Sequence, residues 1–173
     1  MKKNFTRIGM ILFAVVMITM SFISCDNIFS PRLDENTPVS ILTDQKTIEG
    51  LFQNFKYAYT FKDTTVYGNL LGDQFVFTYR DYVSGFDVSW DRATEMRTTN
   101  GLFSNAQKLE VVWNNIIFQG GDSLIQNVKR SFNLTITFNP SDIVRLNGFA
   151  DMTMTRSAPE DIWKITRWRD ESF

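Results

Sequence analysis

The alternation of apolar and polar positions divides the chain into a leader, a polar spacer and a patterned body. Residues 8–20 are almost wholly apolar, follow the basic residues Lys2, Lys3 and Arg7, and give way to Ser21, Ser24 and Cys25. Between Asp26 and Gln45, apolar residues are scattered among Asn27, Ser30, Pro31, Asn36, Pro38 and Ser40, a composition expected to extend as a tether rather than pack. Residues 46–61 then set Ile48, Leu51, Phe52, Phe55, Ala58 and Tyr59 at helical spacing with Glu49, Gln53 and Lys56 between them, which predicts an amphipathic helix with a wide aromatic face. Thr43, Asp44 and Thr47 are all eligible as its N-cap. A short helical turn is expected over 67–71, and a strand carrying Phe75, Phe77 and Tyr79 over 74–82. Residues 89–103 read as a second helix, with Ser89 as N-cap and Trp90, Ala93, Met96 and Arg97 on one side.

The period then changes from helical to strand-like. Four segments follow, 108–118, 124–138, 143–155 and 161–169. The clearest sets Phe132, Leu134, Ile136 and Phe138 against Asn133, Thr135, Thr137 and Asn139, a period of two with one wet face. Gly120-Gly121-Asp122, Asn139-Pro140-Ser141-Asp142 and Ser157-Ala158-Pro159 are turn chemistry. Separators this short predict antiparallel hairpins. Helices followed by a long-stranded meander predict an α+β fold, with helices packed on one face of a strongly curved antiparallel sheet.

Composition narrows the chemistry. The chain has no histidine and one cysteine, so Ser-His-Asp and Cys-His nucleophile pairs, imidazole metal ligands, disulfides within the chain and thiolate zinc sites are excluded. No calcium-loop spacing occurs, and no cofactor or metal is implied. A hydrophobic share of 43% with 16 Phe among the aromatics is enough for a sizeable core or a lined cavity. Without Lys2, Lys3 and Arg7 the remainder carries four more acids than bases, and it has no basic stripe, which argues against nucleic acid as partner.

The leader has the layout of a secretory signal peptide over residues 1–24. Phe22-Ile23-Ser24-Cys25 resembles the bacterial lipobox, which implies lipidation of Cys25, cleavage before it, and membrane attachment through the lipid with the domain facing the periplasm or exterior. An ordinary cleaved signal and an uncleaved anchor are the alternatives, although the apolar run 8–23 is shorter than the roughly 20 residues that a span prefers.

From residue 46 onward the body resembles the nuclear-transport-factor-2-like superfamily, which includes SnoaL-like proteins and ketosteroid isomerases. The resemblance is carried by the opening helix ending near Phe61-Lys62-Asp63, the passage Leu70-Leu71-Gly72-Asp73-Gln74-Phe75-Val76-Phe77, and the closing Trp163-Lys164-Ile165-Thr166-Arg167-Trp168-Arg169-Asp170. It implies a cone-shaped sheet around an apolar cavity open at one end, and a homodimer through the sheet's outer face. Phe55, Tyr59, Phe77, Tyr79, Trp113, Phe132, Ile136, Met152 and Trp168 are the candidate lining, each also explicable as packed core. A ketosteroid-isomerase-like set would draw on Asp151 with Tyr57, Tyr59 or Tyr79, yet alternation turns Asp151 outward. The His-Asp chemistry of scytalone-dehydratase-like members is closed to a chain without histidine. Asp91, Arg92, Glu95 and Arg97 are expected to pair along their helix or meet solvent, and Arg167, Arg169, Asp170 and Glu171 to form a mixed-charge sheet edge. The expectation is therefore a non-catalytic, lipid-anchored envelope module that binds a small apolar ligand or a protein. A SnoaL-like isomerase or dehydratase using carboxylate and Tyr groups is one alternative, and a structural dimeric module the other. A desolvated carboxylate inside the cavity would favour catalysis, and a purely aromatic one binding.

Overall fold

The computed structural model describes residues 41–172; the leader and Cys25 lie outside the described residues. Helix α1 (Ile48–Phe61) opens at Thr47, whose side chain accepts from the Gly50 amide at 3.0 Å, so Thr47 is the cap among the three eligible residues. Thr43 and Gln45 are already part of the body: Thr43 N donates to Asn54 Oδ1 at 2.8 Å, and the buried Gln45 side chain donates to the Trp163 carbonyl at 2.7 Å. The packed region thus starts ahead of the expected boundary at residue 46.

Lys62 ends α1 in the left-handed region (φ 57°), its N–H closing on the Ala58 and Tyr59 carbonyls. Asp63 then caps α2 (Thr64–Leu70) by accepting from the Thr65 and Val66 amides, which starts this helix earlier than the expected turn. Two consecutive caps fold the aromatic face of α1 back over Tyr67.

Strand β1 (Leu71–Asp81) turns through Gly85, at φ 75°, into β2 (Phe86–Asp91), and α3 (Arg92–Asn105) follows directly. This corrects the expected helix start at Ser89. Ser89 is a strand residue whose hydroxyl meets that of Thr78 across the hairpin at 2.8 Å; Trp90 is also in the strand; and Asp91 is the N-cap, accepting from the Thr94 amide. A carboxylate one residue before the first helical turn outcompetes the earlier serine because it faces the free amides.

The last four strands, β3 (Lys108–Gly121), β4 (Ile125–Asn139), β5 (Asp142–Thr155) and β6 (Lys164–Ser172), form the expected antiparallel meander. The sheet order is β2-β1-β6-β5-β4-β3, and β1 and β6 pair in parallel. Strand β6 is therefore internal, and its charges do not make a sheet edge. On the outer face Arg169 binds Asp87 at 2.8 Å, and Lys129 binds Glu171 at 2.5 Å. Register shifts in β3 between Trp113 and Phe118 bend the sheet around the helices, as bulges do. Three helices cover the inner face of this curved, unclosed sheet. The core between the two layers contains Phe52, Phe55, Tyr67, Phe75, Val128, Met152 and Ile165.

Candidate functional site

Packing between the layers leaves a cavity of about 170 Å³, bordered by α1, α3 and residues of all six strands. Phe55, Tyr59, Phe77, Trp113, Phe132 and Trp168 stand in its wall. Phe55 is the hub, stacked on Tyr59 at 4.8 Å between centroids and edge-on to Trp113 and Trp168 at 5.1 and 5.5 Å. Phe77 stacks on Trp90 at 4.6 Å. Three other residues considered for the lining stand apart: Tyr79 packs outside the cavity against Trp90, and Ile136 and Met152 are buried in the core.

The Asp151 and Tyr set is not assembled. Asp151 lies between Lys129 and Arg169 in register on the outer face, and Tyr57 packs at a tilt against exposed Phe61, 4.6 Å between ring centroids. Only Tyr59 of those residues reaches the cavity.

The carboxyl groups that do reach it are Glu95 and Asp170, both expected at the surface. Glu95 is 4% exposed. Its Oε1 accepts from the Tyr67 hydroxyl at 2.6 Å and from the Thr99 hydroxyl at 2.9 Å, and its Oε2 accepts from the Trp90 indole at 2.7 Å. Three donors on two oxygens offset the loss of water around a buried carboxylate. Burial pushes the Tyr67 and Tyr59 hydroxyls well above the usual phenol range, and the Glu95 charge adds to both shifts. Both phenols therefore remain neutral donors at physiological pH.

Asp170 is poorly satisfied by comparison. Its Oδ2 accepts from Ser172 Oγ at 3.0 Å, while Oδ1 has no partner among the described residues. Burial raises its pKa; hydrogen bonds from Ser172 oppose the rise, and the charges of Glu171 and Glu95 add to it. Trp113 Nε1 and Trp168 Nε1, both on wall residues, also lack a protein acceptor. Buried polar groups without partners are rare in folded proteins. These three unpartnered atoms belong to residues of one cavity wall and are themselves almost without accessible surface. Chemically, the site can enclose a flat ring, donate from two indoles, and give or take a proton at Asp170.

No protein-family model and no curated protein sequence matches the chain significantly. Its fold does match solved structures. A conserved protein from Planctomyces limnophilus superposes with a TM-score of 0.64 at 14% identity, covering 75% of this chain and 96% of the other. A protein from Novosphingobium aromaticivorans provisionally named scytalone dehydratase gives 0.63 at 15% identity over 73% of this chain and 81% of its own. A member of the nuclear-transport-factor-2-like family from Streptomyces avermitilis, provisionally named a dehydratase, gives 0.56 at 13% identity over 73% and 93%. With helices on one face of a six-stranded curved sheet in this order, the chain has the nuclear-transport-factor-2-like cone fold.

Proposed function

We propose that this chain is a lipid-anchored protein of the bacterial cell envelope whose cone binds a small, flat, largely apolar molecule carrying an oxygen acceptor. The observation that carries the binding half is the aromatic wall with two indole N–H groups left without acceptors. A guest oxygen would satisfy them, with aromatic and aliphatic side chains around the rest of the guest. Size limits the guest: a cavity of about 150 Å³ holds benzene, so a volume of about 170 Å³ suits one ring with short substituents. The anchoring half rests on the apolar leader ending at Cys25, which resembles the lipobox, and on the polar spacer that holds the domain clear of the membrane.

Asp170 supports a second reading in the same cavity. A desolvated carboxyl with a raised pKa and one free oxygen is the type of group that moves protons in isomerisation or dehydration. Two structural neighbours carry provisional dehydratase names, which fits this reading without assigning it.

One preparation tests both halves. Native mass spectrometry of the full-length protein extracted from membranes is expected to show a lipid mass on the chain beginning at Cys25 and a releasable small molecule. In Cys25→Ser the lipid mass should vanish while the small molecule stays. An unmodified leader overturns the anchor, and a cavity that repeatedly releases nothing overturns the ligand.

A further inference from the structure

The cavity wall holds two carboxyl groups, Glu95 and Asp170, and no Lys or Arg side chain. Glu95 is met by neutral donors, the hydroxyls of Tyr67 and Thr99 and the Trp90 indole. Asp170 has a single neutral partner, Ser172, and one oxygen without any. Nearby cations on the sheet are committed elsewhere, Arg169 to Asp87, Lys129 to Glu171 and Arg130 to Glu49. An apolar cavity with two acids and no base lacks positive charge, and in a medium of low polarity that lack is felt strongly. Among the other wall residues are the aromatic rings of Phe55, Phe77, Trp113 and Phe132, and ring π-clouds attract cations. Trp168, only 8% exposed, adds an indole N–H that no protein atom accepts.

We infer that the cavity takes a small aromatic amine as its ammonium ion, with the nitrogen at Asp170 Oδ1, the ring between the aromatic walls, and an oxygen substituent accepting from the Trp113 or Trp168 indole. The inference rests on the cavity being a ligand site and adds the sign of the ligand's charge. An anion is excluded by the two carboxyls. A neutral ring satisfies the indoles but leaves Asp170 as it was.

The groups facing Asp170 define the pH dependence. Glu95 approaches from α3, Glu171 and Ser172 lie on its own strand, the Tyr59 hydroxyl comes from α1, and Tyr79 of β1 and Ala150 of β5 are its register neighbours. Burial disfavours the charged form of Asp170, and both charged neighbours are acids that add to this. An arriving ammonium opposes them and favours the charged form, so binding strengthens as pH rises through the Asp170 titration.

Trp90, Trp113 and Trp168 line the cavity, so tryptophan emission of the full-length protein in detergent reports on binding. The probes are tyramine, its neutral analogue para-ethylphenol, and para-hydroxyphenylpropionate as the anion. Tyramine is expected to bind roughly ten-fold more tightly than para-ethylphenol, with the anion weakest. Its affinity should rise with pH through the Asp170 titration, while that of para-ethylphenol stays level. Asp170→Asn should bring the two within about two-fold of each other. Para-ethylphenol binding as tightly as tyramine, or a tyramine affinity flat with pH, overturns the ammonium inference and leaves the cavity reading standing. Binding of none of the three overturns both. If Asp170→Asn fails to fold, the ratio and pH profile of the unmutated protein decide.

Discussion

Two acidic side chains share one cavity wall in opposite states. Glu95 organises its surroundings, because Tyr67, Trp90 and Thr99 all aim donors at it. Asp170 is held at some cost, with burial and two neighbouring acids disfavouring its charge. Thermal unfolding should separate them by sign. Glu95→Ala orphans three donors and is expected to lose on the order of 3 kcal/mol. Asp170→Asn is expected to raise the melting temperature near neutrality. A folded pKa above the unfolded one means that the native state favours protonated Asp170, so stability from this group is present in acid and lost as pH rises through the folded value. The gain from Asn should therefore shrink towards about pH 4, close to the unfolded Asp value of about 3.9. Neither role was legible beforehand. Glu95 sits among Asp91, Arg92 and Arg97 as one more helix charge, and the partner that identifies it, Tyr67, is 28 residues upstream.

At the level of elements, the opening helix and the four-strand meander were readable because their signals are local: helical spacing in α1, period two in β4, and turn residues between hairpins. The β1–β2 hairpin was missed although Gly85 and the alternating Phe86, Val88 and Trp90 announced it, since Ser89 offers a plausible cap that the true cap, Asp91, displaces. Asp170 was misplaced for a related reason. Period two counted forward from Trp168 puts Asp170 and Ser172 in the cavity, but Ile165 and Trp168 are both buried at a spacing of three, across a register shift between β5 and β6. Irregular strands defeat counting from one end. That same strand end is held close to β5 at Gly148, which pairs with Ser172; an added Cβ there would collide with the Glu171 carbonyl and Ser172 Cα. Gly148→Val should thus splay the end of β6 and cost about 1–3 kcal/mol in urea unfolding. It should also weaken ligand binding, because Asp170 and Ser172 belong to the wall. Unchanged binding in a destabilised Gly148→Val protein would detach the cavity from this strand end.

In the whole molecule, the fold class follows from the order of helices and strands, whereas the sheet order does not. Strand β1 pairs in parallel with β6, nearly the whole body away in sequence, and that pairing puts Phe77 beside Trp168 and encloses the cavity. The absence of histidine closes the imidazole route to catalysis without emptying the site of ionisable groups, since two carboxyls stand in the cavity wall. A binding site and a loosely packed core differ in what fills this space. A crystal structure of the protein isolated from its own membrane distinguishes the two. Continuous non-protein density is expected between Phe55, Trp113 and Trp168, within hydrogen-bonding distance of Asp170 Oδ1 and of an indole nitrogen. Side chains that close the space, with both indole N–H groups and Asp170 bonded to protein atoms, would contradict it.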